Sequence, residues 1–212
     1  SYRPDITIEE DLVEEIARTF GYNNLPKTLP PTLTVEPHIQ ANKLKEISRD
    51  FFLRNGFTEL TGFTLVSASD LENVSLNPGE KLKVQNAPSS DFEYLRPTLL
   101  INLLKAISIN QNYTSLSFFE IAKVFEKELD KNTSLPSQKE TLAYITTRDL
   151  SETSGVLSEF SERLNLGLVR EKSEKIQLFD NEVALIQDKV VVGYFGQVKK
   201  EILDNFDINK TQ

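Results

Sequence analysis

The sequence predicts an α+β domain with a largely antiparallel sheet, and three observations lead there. Apolar residues recur at helical spacing in four separate stretches. Short β-branched and aromatic runs lie between these stretches. Four strand-like runs then follow one another near the end of the chain, without the strict strand–helix alternation of a doubly wound parallel sheet. The chain has 212 residues, enough for one sizeable core with a short appendage.

The first element is a helix. Thr7-Ile8-Glu9-Glu10 fits a capping box, with Thr7 capping and Glu10 reaching back. Leu12, Val13, Ile16, Ala17 and Phe20 form its apolar stripe, and Gly21 stands where a left-handed C-terminal residue belongs. Pro26 bars continuation, and Pro26 to Pro31 reads as a stiff linker and domain boundary. A second helix is expected over Gln40 to Asn55, with Leu44, Ile47 and Phe51 on its core face and Gly56 closing it. Phe57 to Val66 reads as a strand, Ser69 to Glu72 as a short helix and Lys81 to Val84 as a short strand. Pro97 suits a first helical position, followed by the wide apolar face of Leu99, Leu100, Leu103, Leu104 and Ile107. Ser117 to Phe125 is a strongly apolar strand, followed by a charged loop from Glu126 to Glu140 and a further strand from Thr141 to Thr147. Ser151 to Leu164 reads as a helix with Val156, Leu157, Phe160 and Leu164 inward. The closing strands are Leu166 to Val169, Ile176 to Phe179, Glu182 to Ile186 and Val190 to Phe195, with Asp188-Lys189 as a turn.

Composition narrows the chemistry. There is no Cys and a single His, His38, so thiolate zinc sites, disulfides and His-rich metal centres are excluded. His38 has no Ser or Asp pairing that suggests a triad, which favours a surface or packing role. The net charge of −8 disfavours independent binding of nucleic acid, which needs a basic stripe. No apolar run approaches the ~18–20 residues of a membrane span, and no signal peptide is evident, so a cytoplasmic location without a membrane is expected. The chain begins with Ser and lacks Met, and it reads as a piece of something larger or as a processed chain. Gly193 and Gly196 lack dinucleotide-loop spacing, and no phosphate loop of the Walker type exists.

The most concentrated candidate site is acidic. Asp11, Glu14 and Glu15 share one side of the first helix, and Asp5 on the lead-in can fold back over its first turn. Four carboxylates are hard oxygen ligands of the kind that hold Mg²⁺ or Ca²⁺. The residues by themselves equally suit a solvated acidic first turn that stabilises the positive helix end, and that reading is the commoner one. Arg96 could hold an anion, and Glu120 could face a pocket. A salt bridge for Arg96, and a core strand with Glu120 as its one outward acid, are the plainer readings.

The run Asp5 to Arg18, with Gly21-Tyr22-Asn23-Asn24-Leu25-Pro26, resembles the beta subunit of bacterial phenylalanyl-tRNA synthetases. Three later segments match that family in order: Arg54 to Glu59, Asn86 through Leu95-Arg96-Pro97-Thr98-Leu99-Leu100, and Phe119-Glu120-Ile121-Ala122-Lys123-Val124-Phe125. Gly193 to Val198 is a weaker fifth match. There are departures: Pro88 comes one place late, Ala122 replaces a usual Gly, and Lys199-Lys200 stands where the family tends to have His-Pro.

The resemblance implies a fold: a class II synthetase-like antiparallel sheet flanked by helices over residues 31–212, preceded by the end of a small upstream domain over residues 1–30. It implies a role as a non-catalytic structural and subunit-interaction module of the enzyme that attaches phenylalanine to its tRNA. The alpha subunit of an alpha2beta2 assembly would carry the chemistry, using ATP that this chain does not bind. Ser117 and Phe118 precede Glu120 where class II catalysis would need an Arg two places ahead of the Glu. The resemblance also turns the acidic set towards metal, with Asp5, Asp11, Glu14 and Glu15 matching carboxylates that hold Mg²⁺ at the alpha-subunit junction. Two alternatives stay open. One is an independent class II-like ligase acting through Glu120 and Arg96; the other is an unrelated acidic α+β interaction domain. As an isolated subunit-interaction module, the chain is expected to expose apolar surface and to self-associate; the helices of Leu44 and Phe51 or of Leu99 and Leu103 are the candidates, with a core role as the plainer reading for each.

Overall fold

The computed structural model describes residues 3–29, 39–129, 135–176 and 178–209. His38 and the far end of the Pro-rich linker lie outside the described residues, as does the middle of the charged 126–140 loop. The chain divides into two compact units, Ser1–Ile39 and Gln40–Gln212.

The first unit is helix α1, Glu9–Phe20, with a 3₁₀ turn at Tyr22–Asn24. Capping is shifted by one residue from the expected box. Ile8 is the N-cap, and Asp11, not Glu10, reaches back to accept from the Thr7 and Ile8 N–H groups at 2.8 and 3.1 Å. Gly21 adopts φ 93° and donates its N–H to Ala17 O, ending the helix. No residue of α1 is buried, and Leu12, Val13, Ile16 and Phe20 are each more than half exposed.

The second unit holds the core. Its elements are α2 (Ile39–Arg54), β1 (Thr58–Glu59), β2 (Leu65–Val66), α3 (Ala68–Asn73), β3 (Tyr94–Leu95), α4 (Leu100–Ile109), β4 (Ser117–Leu129), β5 (Pro136–Thr146), α5 (Leu150–Arg163), β6 (Val169–Lys172), β7 (Phe179–Gln187), β8 (Val190–Val198) and α6 (Lys200–Asn205). The expected single sheet is three small ones: β1-β4-β5, β2-β3 and β6-β7-β8. All their pairings are antiparallel except β1 with β4, which run parallel with Thr58 opposite Phe118.

The alternation along β4 divides the core. Phe118 points into a cluster built on α4, with Leu100, Ile101, Leu103, Leu104 and Ile107 buried beside Val66, Leu71, Ile202 and Phe206. Phe119 points the other way, into an aromatic cluster of Phe51, Phe52 and Phe57 with Val156 and Phe160. Phe52 stacks on Phe119 with ring centroids 5.2 Å apart and meets Phe57 edge-on at the same separation. Each fully buried Leu, Ile or Phe of these clusters contributes on the order of 1.5–3 kcal/mol.

Several expectations are corrected. Phe51, Leu99 and Leu103 are buried and serve the core, not a partner surface, whereas Leu44 is exposed. Pro97 stands ahead of α4, which begins at Leu100; Thr98 Oγ1 accepts from the Leu100 N–H. The Phe57 to Val66 run is two short strands, Thr58–Glu59 and Leu65–Val66, separated by residues 60–64. Much of the expected charged loop is paired strand: β4 runs on to Leu129, and β5 starts at Pro136. Of the run Ile176 to Phe179, only Phe179 joins a strand: β7 takes it up with Glu182 to Ile186, and its register with β8 shifts between Asp180 and Val183, where Asn181 takes φ 52°. Asp188 and Lys189 both adopt positive φ, 49° and 67°, as a two-residue type I′ turn requires. Helix α6 was not expected; it drops Ile202 into the α4 cluster, and Phe206 and Ile208 follow it there.

Candidate functional site

Asp5, Asp11, Glu14 and Glu15 all lie at the start of the first unit, and each is engaged. The Arg3 guanidinium grips Asp5 with Nε at 2.9 and 3.0 Å from its two oxygens and Nη2 at 2.6 Å. The same Nη2 donates to Glu15 Oε1 at 2.9 Å, so Arg3 ties the lead-in to the helix. Arg18 donates to Glu14 at 2.6 Å, one turn away, and lies 3.4 Å from Glu15. Asp11 spends Oδ2 on the cap.

The charges follow this pairing. Hydrogen bonds from Arg3 hold the Asp5 and Glu15 carboxyls below their ordinary values, and the Thr7 and Ile8 N–H groups do the same for Asp11. The Arg3 and Arg18 guanidiniums are pushed up by their carboxylate partners, Arg3 by Asp5 first and Arg18 by Glu14 first. As donor chemistry, four carboxylates suit a hard divalent ion. Their arrangement does not: three are turned to guanidiniums and one to the helix cap. Among the described residues, no group of three or more Asp, Glu or His side chains is gathered as for a metal.

Sequence reasoning overlooked both arginines. Arg18 was legible, because it stands at i+4 from Glu14 and i+3 from Glu15. Arg3 was not, because its reach to Glu15 spans twelve residues and depends on how the lead-in folds.

The second candidate pair, Arg96 and Glu120, does come together. Arg96 Nη1 donates to Glu120 Oε1 at 2.6 Å, and both side chains are at most 4% exposed. Glu120 is therefore not an outward acid. Over Ser117–Glu120 both faces of β4 are covered, so the alternation there has no solvent side, and Glu120 shares the Phe118 face. Arg96 also donates from Nε to Lys123 O at 3.1 Å, and Gly62 donates its N–H to Glu120 Oε1 at 3.2 Å. The pair thus ties β4 to the chain leaving β3 and to the loop after β1. Glu120 Oε2 is enclosed and has no hydrogen-bond partner among the described residues.

Comparison with known proteins fits this architecture. Residues 25–212 match the family described as the phenylalanyl tRNA synthetase beta chain CLM domain, and residues 1–22 match the tRNA synthetase B5 domain. The chain is 30% identical to the phenylalanine–tRNA ligase beta subunit of Syntrophus aciditrophicus over 98% of its own length and 29% of that protein. It is 36% identical to the human beta subunit over 62% of its length and 23% of that protein. It therefore spans under a third of these relatives. Its fold is similar to that of a Desulfitobacterium hafniense pyrrolysyl tRNA synthetase, PylSc, with a TM-score of 0.57 at 17% identity, covering 88% of this chain and 63% of the other. On the match over residues 25–212, the chain belongs to the phenylalanyl tRNA synthetase beta chain family.

Proposed function

We propose that the chain is a non-catalytic, class II-like core module of a phenylalanine–tRNA ligase, and that it serves assembly with an alpha subunit. The observation that carries this reading is the buried Arg96–Glu120 pair. An independent ligase would have to act through these two side chains, and both are committed to each other and to backbone groups. A guanidinium neutralised in this way is not available to stabilise charge developing on ATP phosphates. In this reading, ATP and tRNA are handled by the assembled enzyme.

The match of residues 1–22 to the B5 domain, with the exposed stripe of α1, supports reading residues 1–30 as the end of a preceding small domain. Residues 31–212 are then the core module. An apolar stripe this exposed is a docking face in need of cover, and an orphaned chain would self-associate through it. Asp5, Asp11, Glu14 and Glu15 serve Mg²⁺ only in the assembly, where the alpha subunit completes the site. No helix among the described residues is long and apolar enough to cross a membrane.

The test is phenylalanine-dependent ATP–pyrophosphate exchange. The chain alone is expected to give none, and exchange above background from the pure chain would overturn the reading.

A further inference from the structure

Helix α5 and strand β6 enclose a cleft of about 410 Å³. The turn between them shapes it. Asn165 takes φ 51° and closes α5, with its N–H donated to Glu162 O and that of Leu166 to Ser161 O. Gly167 takes φ 58° and sends the chain back along the helix. Leu157, which is buried, and Leu168, which is half-buried, give the cleft apolar walls. Two exposed charges of opposite sign line it with them, Glu162 from α5 and Arg170 from β6, and neither forms an ion pair among the described residues. Arg170 is held by neutral groups: Nη1 donates to Ser154 Oγ at 2.6 Å, and Nη2 to Ser158 Oγ at 2.8 Å and to Ser154 O at 3.2 Å. Its charge is therefore oriented but not cancelled. Glu162 stands four residues after Ser158, about 6 Å further along the helix.

We propose that this cleft binds an α-amino acid with an apolar side chain, its carboxylate on Arg170, its ammonium on Glu162 and its side chain between Leu157 and Leu168. A ligand of one sign is disfavoured here. A bare anion meets Glu162 on a chain of net charge −8, and a bare cation meets Arg170. A ligand with both charges on neighbouring atoms answers both side chains, each by a charge-assisted hydrogen bond. Arg170 keeps donors for this, because the serine contacts leave its Nε–H and one Nη1 hydrogen unused. A cleft of this volume, with apolar walls and a few polar groups that fix orientation, has the make-up of a small-ligand site. The two charges read the ends of the ligand, and the leucines select against polar side chains. Failure of this proposal leaves the assembly reading standing.

The experiment titrates the whole chain with L-leucine and follows the Asn165, Gly167 and Leu168 amides by NMR. A dissociation constant of about 1 mM is expected. Isocaproate, the same skeleton without the ammonium, and isopentylamine, the same without the carboxylate, should each bind roughly tenfold or more weakly. Glu162→Gln should weaken leucine about tenfold and leave isocaproate unchanged or tighter. Arg170→Gln should weaken both. Because Arg170 also ties β6 to α5, its variant is melted alongside the wild type, and Glu162→Gln decides the matter if Arg170→Gln does not fold. Arg163→Gln removes a charge beside the cleft that does not line it, and should bind leucine as the wild type does. Isocaproate as tight as leucine would make this a plain anion site and overturn the proposal. Unchanged leucine affinity in Glu162→Gln, an equal loss in Arg163→Gln, or no amide shift at about 30 mM leucine would each overturn it as well.

Discussion

Replacing Glu120 with Ala removes the carboxylate paired with a buried guanidinium, that of Arg96. In the native chain Arg96 Nη1 lies 2.6 Å from Glu120 Oε1, with side-chain exposures of 4% and 2%. After the substitution, Arg96 keeps Lys123 O at 3.1 Å and two long contacts, to Gly62 O at 3.4 Å and Phe63 O at 3.5 Å. These carbonyls carry only partial charge, and the Gly62 N–H loses its acceptor as well. Breaking a buried pair from one side costs about 3–5 kcal/mol. A domain is stable by only about 5–15 kcal/mol, so the variant should be severely weakened. Urea unfolding, with a slope of about 2 kcal/mol per molar, should show a midpoint lower by about 1.5–2.5 M. Replacing both partners by apolar residues, Arg96→Met with Glu120→Leu, removes the unpaired charge and should recover most of that loss. A single-variant cost below about 1 kcal/mol, or a double variant as weak as the two singles added, would refute the reasoning.

Other outcomes follow from the same packing. Tyr144, beside Phe52 and Phe57, presents a buried hydroxyl with no hydrogen-bond partner among the described residues, so Tyr144→Phe should be neutral or stabilising by up to about 1 kcal/mol in thermal melts. Burial pushes the Tyr144 phenol well up, so the unfolded chain ionises first; wild-type stability should fall above about pH 10, and less so in the variant. Burial pushes the Asp70 carboxyl up, but Lys105 at 2.7 Å and the Ser67 N–H and hydroxyl outweigh it and hold it below the ordinary value. Its stabilisation is thus present above about pH 4 and lost on acidification through its folded value, and Asp70→Asn should flatten the acid limb of a stability–pH curve. A Cβ on Gly196 would stand 2.7 Å from Phe179 Cβ and 3.1 Å from Asp180 O, so Gly196→Ala should cost about 1–3 kcal/mol. Gly155 in α5 has nothing within 4 Å of such a Cβ, so Gly155→Ala should stabilise by about 0.5–1 kcal/mol.

What could be read in the residues was whatever local periodicity controls. Helices α2 and α5, the Leu-rich face of α4, the Asp188-Lys189 turn and the Gly21 and Gly56 helix ends are all set within a few residues. Glu120 was misread because alternation identifies two faces of a strand, not whether both are covered. Helix α6 was overlooked because six residues with two apolar side chains carry almost no period; α6 and the chain after it are held by burial of Ile202, Phe206 and Ile208 and by Gln111, which bonds Asp207 O and the Asn209 N–H. The four acids were legible as a cluster, but their partners were only half so. Arg18 follows from helical spacing, whereas Arg3 depends on a fold of the lead-in that no short-range pattern encodes. The cap moved from Thr7 and Glu10 to Ile8 and Asp11, a one-residue slip within the usual uncertainty of helix ends that nonetheless takes an oxygen from the acidic set.

The central claim is that this chain acts by joining a partner. Its most direct test is association with a separately produced alpha subunit of a phenylalanine–tRNA ligase, followed by analytical ultracentrifugation with and without Mg²⁺. The account predicts a complex at micromolar concentrations that weakens when Mg²⁺ is withdrawn and in Asp11→Ala with Glu15→Ala. No complex at tens of micromolar with Mg²⁺ present, from a chain shown to be folded by its circular dichroism, would contradict it.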